Sequence, residues 1–187
     1  MASEILKYAR YIDSSHTYQL LEDHLCSVAE ISEYFAKKSS YQEFGYLSGL
    51  LHDLGKYSCS WQSYLQKSVK TKGLIEKEDH ATAGAQYVNS VFSKYCTYDD
   101  PKENALFQAS LELLEMIIMY HHGQGLPDMV CPDGTSPFLL RLGKSHDDTC
   151  IETMLVIISS MSFLSHPARV RELKLPLIGY FWFYLQK

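Results

Sequence analysis

The chain has 187 residues, a length that suits one domain and leaves little room for two, so we expect a single domain over residues 1–187. Apolar residues make up 46% and charged residues 21% of the sequence, which excludes a disordered or fibrous chain. The net charge of −5 argues against a free-standing, sequence-reading nucleic-acid binder, because neutralising phosphates requires a surplus of Lys and Arg. It does not exclude an enzyme in which metal ions supply the positive charge.

The cysteines and the apolar runs indicate the environment of the protein. Five cysteines without a C-x-x-C pair argue against a disulfide framework or a thiolate zinc site, so a reducing cytoplasm is the expected location. The N-terminus lacks a stretch of signal-peptide type, and no run approaches the ~20 apolar residues of a membrane span. The closest run, residues 175–185, includes Pro176 and Gly179. We expect it to be a core segment or a surface for a partner, and we expect no membrane association.

The hydrophobic periodicity of the first half of the chain is mostly helical. Apolar residues recur every three or four positions over residues 18–38, which predicts an amphipathic helix. A second helix is predicted over residues 44–54 and should end at Gly55. Trp61 and its neighbours suggest a short helix after it. The polar residues 67–79, with their alternating charges, predict a loop.

The second half of the chain also predicts helices. Residues 81–95 form an amphipathic pattern, and a long helix is predicted from Pro101, which suits a first helical turn, to His121. Residues 123–137 hold three Gly and three Pro and should be irregular, whereas residues 151–164 predict a final apolar helix. No segment shows a convincing alternation of strand type. The predicted fold class is therefore an all-α, single-domain helical bundle.

Histidine is the residue type that points to chemistry. Five of the eight histidines form four pairs with a neighbouring acid or histidine, and His146 also precedes an acid, Asp147. The pairs are Asp23-His24, His52-Asp53, Asp79-His80 and His121-His122. They are too far apart in sequence for a local ligand loop such as a zinc finger. They fit a site to which several helices, or helix ends, each deliver one or two ligands in the core of a bundle.

The positions of two of these pairs favour a metal site. The second pair ends the apolar run 46–51, and the fourth ends the apolar run 116–120, so both emerge from buried helices, where a polar pair is costly unless it is satisfied. Adjacent residues on a helix point about 100° apart, so one pair can face two metals, or bind one and brace its neighbour. Imidazole with carboxylate suits Mn, Fe, Co, Ni or Zn better than Ca.

Each histidine also has a purely structural interpretation. A lone His52 is more often a hydrogen-bonded core histidine than a ligand, and His121 could simply cap a helix. Four pairs together favour the metal site over these alternatives. His16, His146 and His166 lie outside these four pairs, and we expect them to be surface or structural residues.

Four motifs resemble those of the HD-domain metal-dependent phosphohydrolases, and in particular the HD nucleases of type I CRISPR systems. Residues 24–29 look like the first histidine motif of these nucleases. Residues 49–64 resemble their H-D-x-G-K-x-x-x-x-(F/W)-Q-x-Y stretch. Residues 79–85 resemble D-H-(S/A)-x-A-G-A, and residues 121–128 are similar to H-H-G-G-L-P-D. The match keeps the order of the motifs and covers residues 24 to about 140.

The resemblance implies an HD-domain helical bundle and the nuclease part of the type I CRISPR interference helicase-nuclease, a hydrolase of antiviral defence. Such an endonuclease degrades single-stranded DNA with divalent metal. The implied cofactor is a pair of divalent transition-metal ions, Mn, Fe, Co or Ni, with Mg as a further candidate. The implied partners are single-stranded DNA, a helicase module and an RNA-guided CRISPR surveillance complex.

The resemblance also assigns roles by position. The implied metal ligands are His24, His52, Asp53, His80, His121 and His122. Asp53 would bridge two metals, with His24 completing the shell of one and the last three histidines holding the other. Lys56 resembles the family's active-site lysine and would neutralise phosphate charge in the transition state, so Asp53 and Lys56 are the expected catalytic residues.

The sequence departs from the family pattern at its end. The pattern closes with S-x-L-x-x-A-D, whose Asp ligates the first metal, whereas the nearest stretch, residues 160–166, places His166 there. Asp147, Asp148 and Glu152 are the other candidates for this ligand, without motif support. A piece of a longer helicase-nuclease, a degenerate site and a stand-alone subunit would each explain the departure. The alternative functions are an HD-type nucleotide or cyclic-nucleotide phosphohydrolase and a decayed, non-catalytic HD module.

Overall fold

A computed structural model describes residues 6–72, 75–95, 99–123, 125–127 and 130–145 of the chain. The strands are β1 (Tyr8–Ile12) and β2 (Thr17–Leu20), and the helices are α1 (Leu21–Ala36), α2 (Gln42–Leu51), α3 (Cys59–Lys70), α4 (Ala81–Tyr95), α5 (Pro101–Tyr120) and α6 (Pro137–Leu142). One 3₁₀ turn, Lys37–Ser39, lies between α1 and α2, and another, Leu54–Tyr57, lies between α2 and α3. The described part of the chain is mostly helical, as the predicted all-α class requires.

A short antiparallel hairpin of β1 and β2 precedes the helices and differs from the purely helical pattern that the sequence predicts. Tyr11 pairs with Tyr18 across the hairpin, and the register shifts between Tyr8 and Arg10. Such a bulge inserts an extra residue into one strand, which interrupts the alternation by which a strand is recognised in a sequence. Because β2 occupies residues 17–20, the first helix begins at Leu21 and not at residue 18.

Helices α1 and α2 pack closely because α2 presents glycines to its neighbour. A Cβ atom at Gly49 would lie only 2.7 Å from Cα of Ala29 on α1, so only a residue without a side chain permits this approach. Leu21, Leu25 and Leu51 fill the space around the contact and are almost fully buried. The pairing brings the start of α1 beside the end of α2.

Helices α4 and α5 pack together and complete the core. Val88 of α4 and Ile118 of α5 are fully buried, with Leu111 and Leu114 of α5 beside them. Each such side chain contributes about 1.5–3 kcal/mol when removed from water. This packing places the start of α4 near the end of α5.

Three further helices differ from the prediction. Helix α2 spans Gln42–Leu51, not residues 44–54, because the chain after His52 and Asp53 turns into the 3₁₀ segment Leu54–Tyr57 before it reaches the predicted end. Helix α3 runs to Lys70, so the first residues of the predicted 67–79 loop are helical. The Ser58 side chain caps the start of this helix by accepting a hydrogen bond from the Trp61 amide, 3.2 Å away. Helix α6 was not predicted and begins at Pro137. Residues 151–164, predicted to be helical, lie outside the described residues. Among the helices that the structure describes, none combines the length and apolar character needed to cross a membrane.

Candidate metal centre

The candidate site surrounds the carboxylate of Asp53, where the ends of several helices meet. His24 lies near the start of α1, His52 and Asp53 directly follow α2, His80 directly precedes α4, and His121 and His122 directly follow α5. The structure therefore brings together all six residues that the sequence marks as metal ligands. Helix packing achieves this juxtaposition, because α1 with α2 and α4 with α5 each place two element ends side by side.

The two oxygens of Asp53 face two different sets of imidazoles. Oδ2 lies 3.0 Å from Nε2 of His24 and 3.1 Å from Nε2 of His52. Oδ1 lies 2.9 Å from Nε2 of His80 and 3.4 Å from Nε2 of His121. The Asp53 side chain is only 3% exposed, so this carboxylate is almost entirely removed from water. One set comes from the first helix pair and the other from the second.

His122 extends the second set toward the surface. Its Nε2 lies 3.1 Å from Nε2 of His80, and its ring centroid lies 3.9 Å from that of His121. Burial, followed by the neighbouring His121 and His80, lowers the pKa of His122 to about 4. His122 is therefore neutral at pH 7 and has a lone pair for a cation.

Lys56 contributes a fixed positive charge beside the carboxylate. It lies in the 3₁₀ turn Leu54–Tyr57, and its Nζ is 2.7 Å from Oδ2 of Asp53. The same ammonium donates to the carbonyl of Ala9 at 3.4 Å and lies 4.9 Å from the centre of the Trp61 ring. Lysine this deeply buried needs such partners, and Asp53 is the only carboxylate among those contacts.

The protonation of His52 and His121 follows from their hydrogen bonds to backbone carbonyls. Nδ1 of His52 lies 2.6 Å from the carbonyl oxygen of Gly49, and Nδ1 of His121 lies 2.7 Å from that of Ile118. A carbonyl only accepts, so each Nδ1 carries the proton and, in the neutral ring, each Nε2 presents a lone pair. A hydrogen bond from either Nε2 to the Asp53 carboxylate requires a second proton on that ring, and a cation that displaces this proton would be ligated by the freed nitrogen. A backbone partner on the other nitrogen is typical of metal-bound histidine.

Several buried atoms of the cluster lack a hydrogen-bond partner. Oδ1 of Asp53, Nε2 of His121 and Nδ1 of His80 are among the buried side-chain atoms without one in the described part of the chain. Buried polar atoms are normally satisfied, so the first two mark a position where an ion would complete the bonding. The potential ligand atoms fall into two groups that share Asp53, each with all its atoms within 4.8 Å of one another. This cluster can bind a metal ion.

The charge of Asp53 is held by its surroundings. Burial alone raises the pKa of its carboxyl, but the imidazoles of His121, His24, His52 and His80 outweigh burial and hold the pKa far below its usual range. The group is therefore ionised at neutral pH. An anionic, buried oxygen pair ringed by imidazole nitrogens is the donor set that divalent transition metals prefer.

A glycine in the turn after Asp53 allows the second set to approach the first. A Cβ atom at Gly55 would overlap the carbonyl oxygen of His80. The close approach of these two backbones brings His80 to Oδ1 of Asp53. Gly84 has a similar role one turn into α4, where a Cβ would lie 3.3 Å from the carbonyl of Leu51.

Gln62 is a functional neighbour to which the sequence assigned no role, although it lies in the matched residues 49–64. Its Nε2 donates to the carbonyls of Tyr8 at 2.9 Å and Lys56 at 2.8 Å, and its Oε1 accepts from the Tyr8 amide at 3.1 Å. The side chain is buried. It connects β1, α3 and the turn that carries Lys56. Its position as the Q of the H-D-x-G-K-x-x-x-x-(F/W)-Q-x-Y stretch is the sequence signal that could have identified it.

The remaining candidates do not join the described cluster. His16 is exposed at the hairpin turn, where its Nδ1 lies 3.1 Å from the Tyr11 hydroxyl. The candidates for the last acidic ligand and the other uncommitted histidine lie outside the described residues: Asp147, Asp148, Glu152, His166 and His146.

Comparison with known proteins adds no relative. No protein-family model matches the chain, no curated protein matches it, and no solved structure matches it. The function must therefore be inferred from the chemistry of the Asp53 cluster and from the sequence motifs that form it.

Proposed function

We propose that this protein is a metal-dependent nuclease that hydrolyses phosphodiester bonds of single-stranded DNA at the Asp53 centre. The observation that carries the proposal is the division of four imidazoles between the two oxygens of one buried carboxylate, with His122 beside the second pair. A shared carboxylate with nitrogen ligands on both sides suits two neighbouring divalent ions. The ions expected there are Mn, Fe, Co or Ni, with Mg as a further candidate.

Each residue of the cluster has a role in this proposal. Asp53 would offer one oxygen to each of two ions, with His24 and His52 on one side and the other three histidines on the opposite side. When bound, divalent ions would supply Lewis-acid activation of the phosphodiester and of the attacking water. Lys56, already fixed at Oδ2, would neutralise charge that develops on the phosphate oxygens.

The choice of DNA as substrate depends on the four sequence motifs, above all on residues 49–64 and 121–128. With a net charge of −5, the chain has no general surplus of cations for phosphates, so ions at the centre would provide the local attraction. A helicase module and an RNA-guided CRISPR surveillance complex would deliver the strand. The cytoplasm is the compartment in which these partners meet DNA.

The proposal is tested by cleavage of circular single-stranded DNA in the presence of Mn²⁺. We expect the wild-type protein to linearise and then degrade the circle, and Asp53→Ala to abolish cleavage because both ion positions lose their shared ligand. His16→Ala is the matched control, since it removes an imidazole outside the cluster, and it should cleave normally.

Three outcomes would contradict the proposal. Cleavage that survives Asp53→Ala would show that the cluster is not the active centre. Hydrolysis of small nucleotides or cyclic nucleotides without cleavage of the circle would favour a phosphohydrolase. A wild-type protein that binds the ions but hydrolyses neither substrate would favour a non-catalytic module.

A further inference from the structure

Arg141 of α6 connects the two elements that carry the second set of histidines. Its Nη2 donates to Oδ1 of Asp79 at 2.9 Å, and its Nε donates to the Thr82 hydroxyl at 2.8 Å. Its guanidinium carbon lies 5.1 Å from the centre of the Tyr120 ring. Asp79 directly precedes His80, and Tyr120 directly precedes His121. One guanidinium therefore contacts the chain next to both histidines that face Oδ1 of Asp53.

Helix α6 is itself anchored, so Arg141 acts from a fixed support. Nε2 of Gln86 on α4 donates to the carbonyls of Leu142 and Lys144, both at 2.9 Å. Phe138 at the start of α6 is 1% exposed and belongs to the core. The Arg141 side chain is only 27% exposed, and its planar fork fits two acceptors at once, which a lysine ammonium does not reproduce.

We propose that Arg141 is a positioning residue for the ion site formed by His80, His121 and His122; this inference rests on the proposed metal centre. The guanidinium fixes the start of α4 relative to the end of α5, and thereby the separation of His80 from His121. The other set is oriented from a different part of the fold, where His52 bonds to Gly49 and α1 packs on α2. Loss of the Arg141 contacts should therefore weaken one ion position and spare the other.

Lys144 provides a matched control. Its Nζ donates to Oδ2 of the same Asp79 at 2.8 Å, but its side chain is 43% exposed. No contact of Lys144 with Thr82 or Tyr120 accompanies this bond in the described residues. Lys144→Met removes a charge from the same carboxylate without removing the connection between α4 and α5.

The experiment is a titration of the metal-free full chain with Co²⁺, followed by calorimetry and by visible absorption of the bound ion. Variants His24→Ala and His122→Ala identify which transition belongs to which set of ligands. Arg141→Lys, which keeps the charge but loses the fork, should weaken binding at the His122 site by roughly 10- to 100-fold, the usual effect of removing a support of metal ligands. Binding at the His24 site and the midpoint of urea unfolding should stay near wild type, and Lys144→Met should change neither site.

The outcomes separate this inference from the proposed function. If the wild type binds one or two Co²⁺ ions and Arg141→Lys binds them with unchanged affinity, the inference about Arg141 is wrong and the metal centre stands. Equal weakening of both sites with a lowered unfolding midpoint would also overturn it, because Arg141 would then be a general structural residue. Absence of Co²⁺ binding in the wild type would overturn the metal centre and this inference together.

Discussion

At the scale of single residues, two buried carboxylates in the described part of the chain behave in opposite ways. Asp53 is surrounded by nitrogen groups and stays ionised, whereas Glu115 of α5, which is 1% exposed, has a single described partner, the Asn89 amide at 3.0 Å. Burial, opposed by the hydrogen bond from Asn89 and aided by nearby Glu112, raises the pKa of Glu115 to about 7. Asp53 is therefore suited to bind cations, whereas the Glu115 carboxyl is protonated in the core below about pH 7.

Glu115 should make the stability of the protein depend on pH. Its folded pKa of about 7 exceeds the value of about 4.3 in an unfolded chain, so the folded state binds more protons between these values. The free energy of unfolding should fall as pH rises from about 4.5 to 7. Glu115→Gln removes this cost, and we expect it to raise the free energy of unfolding by about 2–3 kcal/mol at pH 8 and to have little effect at pH 4.5.

Urea unfolding at both pH values measures this effect. Glu112→Gln, an exposed change on the same helix, should shift stability by no more than about 0.5 kcal/mol. A Glu115→Gln variant with the same pH profile as the wild type would contradict the expected protonation of this group.

The residue scale is also where the sequence was most informative. His52 and His121 end apolar runs, which identifies them as polar residues at the ends of buried helices, and their neighbours Asp53 and His122 meet in the same cluster. The hydrogen bonds of His52 to Gly49 and of His121 to Ile118 could not be predicted, because they depend on the backbone conformation of the last helical turn. Arg141 gave no signal, since its partners come from two other helices.

At the scale of elements, the hairpin and α3 act as a single support for Lys56. The side chain of Gln62 forms three hydrogen bonds with the backbones of Tyr8 and Lys56, much as a neighbouring strand would. The sequence predicted a helix here, but it did not indicate that the helix supports the hairpin and Lys56. The hairpin itself escaped prediction because its bulge interrupts the alternation, and α6 did so because six residues are too few for a periodic pattern.

Gln62→Ala should destabilise the protein by about 2–3 kcal/mol, because it leaves buried backbone groups of Tyr8 and Lys56 without partners. Urea unfolding followed by circular dichroism measures the change. Gln66→Ala on the exposed face of the same helix is the matched control and should be nearly neutral. If the two variants were equally stable, the hairpin would not be held by this side chain.

At the scale of the whole molecule, the candidate site joins two helix pairs, α1 with α2 and α4 with α5. Ions bound between the pairs would favour the folded state, because the unfolded chain cannot assemble ligands that are this distant in sequence. Free Mn²⁺ at one hundred times its dissociation constant should raise the free energy of unfolding by about 2.7 kcal/mol for each ion. Thermal unfolding with Mn²⁺ and with a chelator measures this gain.

Asp53→Ala should eliminate the stabilisation by Mn²⁺, whereas Glu115→Gln, a core change outside the cluster, should retain it. Stabilisation that persists in Asp53→Ala would place the ion elsewhere on the molecule. The same comparison with DNA present would test whether an acidic chain of net charge −5 holds a strand only when ions are bound.

The paired hydrogen bonds of His52 and His121 have a consequence for protein engineering. Each ring is the C-terminal capping residue of its helix and bonds to the carbonyl three positions earlier in its own chain. The orientation of each ring is thus set within one turn of its own helix, whereas the separation of the ring from the other ligands depends on how the helices pack. The same C-terminal histidine could therefore be placed on two helices of another protein. If the C-termini of those helices met at one carboxylate, the two histidines and the carboxylate would reproduce part of this site.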